Sequence, residues 1–209
     1  MKHIAFSLLM LLLFFSADGI ETVEKWDFLE IELEGPSTGN PYKEVYLQAL
    51  FTIGDSTSFD IKGFYNGNGI YKIRFMPNIE GEWTYRITSN AQSLNSKTGH
   101  FTCLSPASEN HGPVYVANTS HFAYADGTPY KPFGTTSYAW IFQGEVLEEQ
   151  TIETLSSSPF NKIRMCLFPK NDSLSENNPE FFPFQIVLDD SISFDKFNPD
   201  YWKNLEQSI

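Results

Sequence analysis

Cysteine is scarce in this chain, basic residues are outnumbered, and no apolar run is long enough for a bilayer. The 209 residues carry 14 Lys and Arg against 26 Asp and Glu, a formal net charge of −12, and nowhere do even three basic residues run together. A nucleic-acid partner is therefore not expected, because binding a polyanion requires a basic face that displaces condensed counterions. Two cysteines, Cys103 and Cys166, exclude a disulfide framework. One bridge is chemically possible in an oxidising compartment, yet each lies in a strand-like apolar run, and two buried free thiols are the better reading. Walker and dinucleotide glycine motifs, the Gly-x-Ser-x-Gly elbow and the Asp-x-Asp-x-Asp-Gly calcium loop are all missing. His111 and His121 lack a second His or Cys at ligand spacing, and Asp189-Asp190 with Asp195 reads as a solvated loop, so neither metal nor cofactor is expected. Gly67-Asn68-Gly69 reads as a turn rather than a phosphate cradle.

What is abundant is aromatic: 19 Phe, 10 Tyr and 4 Trp make up 16% of a chain that is 41% apolar, enough for a packed core and unlike a disordered segment. The first nineteen residues read separately. Lys2 and His3 precede the apolar run Ile4 to Phe15, and Ser16-Ala17-Asp18-Gly19 places small residues at the −3 and −1 positions of a cut after Gly19. The run falls short of the roughly 20 residues that span a bilayer. The expectation is a cleavable signal peptide over residues 1–19, a secreted or periplasmic product, and no membrane association after cleavage.

From Val23 the hydrophobic period is that of strands. Leu29, Ile31 and Leu33 alternate with glutamates; Val45, Leu47, Ala49, Phe51 and Ile53, then Tyr71, Ile73 and Phe75, then Trp83, Tyr85 and Ile87, repeat the pattern. Turn clusters separate them, and with Phe59–Phe64 and His100–Leu104 the spacing predicts a two-sheet, immunoglobulin-like β-sandwich over residues 20–119. Past the polar stretch Ser105 to Pro113 the pattern changes. Asp126-Gly127 reads as a hairpin turn, a helix is expected over Val146–Ser156 with Ile152 and Leu155 on one face, and Lys162 to Phe168 reads as a second strand. Strand, helix, strand is the order of a parallel β/α unit. Residues 169–197 read as a long loop, and Asn198-Pro199 as the start of a helix with Trp202, Leu205 and Ile209 as its buried stripe.

Several motifs resemble a known family. Gly39-Asn40-Pro41-Tyr42, Gly63-Phe64-Tyr65, Ile73 to Pro77, Gly81 to Tyr85 and Asn110 to Val114 look like the β-sandwich called domain of unknown function 5060. That domain precedes the barrel of secreted bacterial glycoside hydrolases, including the apiosidase-like group. Phe122 to Pro129, Pro132 to Trp140 and Asn161 to Met165 look like the opening of that clan A barrel. The resemblance implies a sandwich followed, over residues 120–209, by the first, incomplete part of a (β/α)8 barrel, which needs about 250 residues when whole. It implies action on a polysaccharide or oligosaccharide by the full-length relative. In that clan the two catalytic carboxylates follow the fourth and seventh strands, so no catalytic residue is assigned here. The chain by itself is expected to be an inactive N-terminal fragment of a glycoside hydrolase.

The same resemblance gives supporting roles to three residues. Tyr138 and Trp140, at the end of the first barrel strand, read either as a sugar platform or as core. Arg164, on the second strand, holds the nucleophile carboxylate ionised in the relatives, or forms a structural ion pair; without its partner it is expected to be an unpaired buried charge. Two other readings stay open: a stand-alone carbohydrate-binding sandwich, for which Trp26, Tyr42, Tyr46 and Trp83 are the aromatics to inspect, and a purely structural support.

Overall fold

A computed structural model describes residues 21–168, 181–186 and 192–208; the expected signal segment and Asp189-Asp190 lie outside them. Strands β1 (Glu21–Glu24), β2 (Leu29–Glu34), β3 (Leu47–Ile53), β4 (Thr57–Lys62), β5 (Phe64–Tyr65), β6 (Ile70–Phe75), β7 (Gly81–Ser89) and β8 (Thr98–Leu104) form two sheets, with a short helix α1 (Pro41–Glu44) between β2 and β3. One sheet runs β1-β8-β7-β3-β4 and the other β2-β6-β5. All ladders are antiparallel except β1 with β8.

Alternation in the sequence decides which side chains meet between the sheets. In β2 the buried Leu29, Ile31 and Leu33 face inward, and register against β6 sets Glu30 opposite Arg74 and Glu32 opposite Lys72 on the outer face. The inner faces share one core: Leu29, Ile31, Tyr71, Ile73 and Phe75 on one side, Leu47, Ala49, Phe51, Trp83, Ile87 and Phe101 on the other. Its centre is aromatic. Phe51 stacks on Phe75 with centroids 4.1 Å apart, Phe75 meets Trp83 edge-on at 5.0 Å, and Trp83 lies parallel to Phe101 at 6.1 Å. The Trp83 indole N–H donates to the Ile79 carbonyl at 2.9 Å, so its burial leaves no orphan donor. Cys103 is buried and Cys166 half-buried, and both are free thiols.

Beyond the sandwich, β9 (Val114–Ala117), β10 (His121–Tyr124) and β11 (Pro129–Tyr130) make a three-stranded antiparallel sheet in the order β11-β10-β9. This sheet spans the expected boundary at residues 119 and 120. Asp126 fixes the hairpin turn: it accepts from the Thr128 N–H at 2.8 Å and faces His111 Nδ1 at 2.7 Å. These contacts hold its carboxyl below the usual range, the Thr128 N–H first and His111 second.

Next come β12 (Gly134–Thr136), a 3₁₀ turn at Trp140–Phe142, helix α2 (Glu145–Ser156) and β13 (Lys162–Arg164), and β12 and β13 pair in parallel. Gly134 lets the two strands close: a Cβ there would stand 2.6 Å from the Lys162 carbonyl oxygen. Among the described residues this is one β/α unit and not a closed barrel. Helix α2 has no buried residue, Ile152 included, because a two-stranded ladder offers little surface to cover it. The ladder of β13 also stops at Arg164 rather than Phe168, although the Cys166 N–H still donates to the Tyr138 carbonyl at 2.9 Å.

The stretch expected to be all loop contains a hairpin, β14 (Phe184–Ile186) with β15 (Ile192–Phe197), followed by helix α3 (Pro199–Gln207). Phe184 joins Phe194 and Phe197 at 5.3 Å each, an aromatic cluster that alternation does not announce. Asn198 caps α3 through its side-chain oxygen, which accepts from the Asp200 N–H at 3.2 Å. Tyr201 and Leu205 are the residues α3 buries, against Trp140, Ile141 and Phe142; Trp202 is only half-buried and Ile209 lies outside the described residues.

The tail is fastened to the sandwich. Arg74 of β6 donates to Glu206 of α3 through both terminal nitrogens, at 2.5 and 2.9 Å, and through Nε to Glu30 at 2.6 Å. Lys72 reaches the other Glu30 oxygen at 2.5 Å. On the far side Lys43 pairs with Asp195, whose carbonyl accepts from Asn40 Nδ2 at 3.1 Å. Asp195 is therefore a bridging residue and not the solvated loop carboxylate expected from sequence.

Candidate functional site

The parallel ladder sets the geometry of the candidate residues. Thr136 registers with Arg164, and beyond them the Ser137 N–H donates to the Arg164 carbonyl at 3.0 Å. That pairing brings the next side chain, Tyr138, beside Arg164: the guanidinium carbon lies 5.5 Å from the Tyr138 ring centroid, a cation–π contact. Tyr138 is 51% exposed and Arg164 is exposed as well. Among the described residues no carboxylate pairs with Arg164, and its exposure removes the desolvation cost expected of a buried unpaired charge.

Trp140 goes the other way. It is 5% exposed, packs with Ile141, Phe142, Tyr201 and Leu205, and turns its indole N–H to Met165 Sδ at 3.3 Å. Its place is in the core, so only Tyr138 and Arg164 of the three sequence candidates meet at one surface. Together they offer a flat aromatic ring and a permanently charged, five-donor fork, a pair suited to the C–H face and hydroxyls of a polar ring. They supply no general acid or base.

The sandwich aromatics divide likewise. Trp83 is fully buried, Tyr46 is exposed, and Trp26 is half-buried with Lys25 Nζ 4.6 Å from its ring. Tyr42 stands at the junction with the tail, edge-on to Tyr65 at 5.1 Å and to Phe197 at 5.5 Å. It forms part of the wall of a cleft of about 400 Å³ between sandwich and α3, to which Phe64, Tyr65, Phe197 and Trp202 also contribute. Sequence reading singled out Tyr42 but not Phe197 or Trp202, which come from the stretch read as loop and from the helix stripe. The clustering of Phe in that stretch was the available signal. Among the described residues no group of three or more His, Cys, Asp and Glu is placed to hold a metal ion.

Comparison with known proteins fits this architecture. Residues 22–90 match the family described as domain of unknown function (DUF5060), which is most of the sandwich. No protein of curated function matches the chain. Among solved structures, the Lin-41 filamin domain aligns at 17% identity over 43% of this chain and 88% of its own, with a TM-score of 0.32, too low to bear on the fold. A candidate glycoside hydrolase from Bacteroides vulgatus is far more similar, with 38% identity and a TM-score of 0.84 over 90% of this chain. The chain spans 38% of that protein's length. Over nine-tenths of its residues this chain is thus similar to part of a glycoside-hydrolase-like protein, and its residues 22–90 are similar to the DUF5060 domain.

Proposed function

We propose that the chain is the N-terminal part of a secreted, carbohydrate-active glycoside hydrolase: an immunoglobulin-like sandwich followed by the opening β/α unit of a (β/α)8 barrel, exported by residues 1–19. The observation that carries the reading is the 38% identity and TM-score of 0.84 over 90% of the chain to the Bacteroides vulgatus protein. The parallel β12–α2–β13 unit supports it, since strands of such barrels present their functional residues at their C-terminal ends, where Tyr138 and Arg164 stand. In this reading Tyr138 lies against the sugar ring. Arg164 donates to the nucleophile carboxylate supplied by a later strand and holds it ionised. Retaining chemistry requires two carboxyls roughly 5–5.5 Å apart across the sugar, and neither is assigned within this chain.

The test is sustained turnover of aryl glycosides, measured for purified residues 20–209 and for the product of the reading frame continued downstream of Ile209. The short chain is expected to be inactive. The longer one is expected to hydrolyse at least one glycoside, and Arg164→Ala in it to lower kcat by about 10²-fold or more. Turnover by the short chain, or an Arg164→Ala enzyme as fast as its parent, overturns the proposal.

A further inference from the structure

A hollow walled by several aromatic rings lies away from Tyr138 and Arg164. It is the cleft between the sandwich and α3, walled by Tyr42, Tyr65, Phe64, Phe197 and Trp202. Its volume of about 400 Å³ lies in the ordinary range of small-molecule sites. Phe64 and Phe197 are 39% and 43% exposed, so the wall presents apolar ring surface to solvent at a place where two units of the fold meet.

Charge and hydrogen bonding narrow the occupant. The ionic groups at the rim are already engaged with one another: Glu206 with both terminal nitrogens of Arg74, Lys43 with Asp195. The cations there are already engaged and Asp200 adds a carboxylate near Tyr42, so an anionic ligand finds no free counter-charge among the described residues, and the chain's net charge of −12 disfavours it further. One polar group in the wall is unmatched. The Tyr42 hydroxyl is buried without a hydrogen-bond partner among the described residues, and burial, with Tyr65 and Asp200 nearby, pushes its pKa up to about 12, so it remains a neutral donor. A buried hydroxyl without a partner is costly and uncommon. A ligand hydroxyl entering the cleft supplies that partner after a small tilt of the ring, the scale of side-chain adjustment usual on binding.

We infer that this cleft is a carbohydrate subsite separate from the Tyr138–Arg164 surface, holding a neutral pyranose unit with its C–H face against the Phe197 ring, Trp202 standing edge-on to that ring at 6.0 Å, and a hydroxyl toward Tyr42. The inference rests on the reading of the chain as carbohydrate-active and names where, away from the barrel face, a glycan is held. A non-catalytic subsite on the sandwich side lets the protein stay on a polymer between cleavage events.

The test is calorimetric titration of residues 20–209 with neutral cello-, xylo- and manno-oligosaccharides. At least one series is expected to bind. Phe197→Ala, at an exposed ring, is expected to weaken it about tenfold or more, and Tyr42→Phe, which keeps the ring and deletes only the hydroxyl, about fivefold. Tyr42→Phe is also expected to raise the melting temperature of the free chain, because it removes the unmatched hydroxyl; a merely structural Tyr42 would not show loss of binding together with gain of stability. Binding that survives both substitutions but disappears with Tyr138→Ala overturns the cleft and leaves the hydrolase reading intact. Absence of binding by every series overturns the cleft as well, while the hydrolase reading is decided by turnover.

Discussion

Phe75 touches more of the sandwich's aromatic centre than any neighbour described above: it stacks on Phe51 and meets Trp83 and Phe101 edge-on. Truncation to alanine leaves a ring-sized hole between two sheets held apart by other rings, which cannot collapse far. Phe75→Ala is expected to cost about 3–5 kcal/mol, read as a lowered urea midpoint with an unchanged slope. A loss under about 1 kcal/mol would mean that the stack rearranges around the hole. Residues of this kind were legible in sequence, because period-two alternation states which side of a strand faces its sheet's partner. Residues whose role depends on a partner far along the chain were not. Trp140 and Tyr138 are two positions apart in an irregular segment, where no period says that one turns to Met165 and the other to solvent; Asp195 resembles any loop carboxylate until α1 is brought beside it.

At the scale of elements, the contact of β6 with α3 has a defined pH response. Arg74 holds the Glu206 carboxyl below its ordinary value, chiefly through their hydrogen bonds and against the opposing effect of burial. Burial raises Glu30, but hydrogen bonds from Lys72 and Arg74 outweigh it and the net shift is also downward. Carboxyls depressed in the folded state add stability that is fully present above their unfolded pKa, near 4.5, and lost as pH falls through the folded value. The urea midpoint is therefore expected to be level from neutrality to about pH 5 and to decline below it, and Glu206→Gln to flatten part of that decline. An acid limb identical in the variant would show that the ion pair adds nothing, the usual fate of fully exposed pairs. Elements with a regular period, β2, β3, β6 and β7, were readable. The β14–β15 hairpin was not: its strands are held by rings packing across the turn rather than by alternation.

The molecule as a whole joins a well-covered sandwich to a thinly covered tail. Val146 is 78% exposed, and Phe168, Ile186 and Phe194 are exposed as well in the chain's second half, whereas the sandwich buries Phe51, Trp83 and Phe101 completely. Limited proteolysis is expected to cut first in and around α2, leaving a resistant fragment that contains residues 21–104, identified by mass. Early cuts within β3 or β7 with α2 intact would reverse this assignment of stability. The division into two parts was visible in the polar stretch after Leu104, and the hairpin at Asp126-Gly127 was read as well, but the pairing of β9 with β10 was not, since pairing across a boundary leaves no mark on composition.

The parallel pairing of β1 with β8 has a consequence in time. Glu21 lies beside Phe101, and Val23 beside Cys103, so the first strand to leave the ribosome has its ladder partner only when the last strand of the sandwich has been made. Until then β8 cannot join β7 either, and of the five-stranded sheet only β7-β3-β4 can form. Closure by such distant segments slows folding and leaves the nascent chain's β1 as an unpaired strand, a natural binding site for a chaperone that holds extended segments, for as long as synthesis takes to reach Leu104.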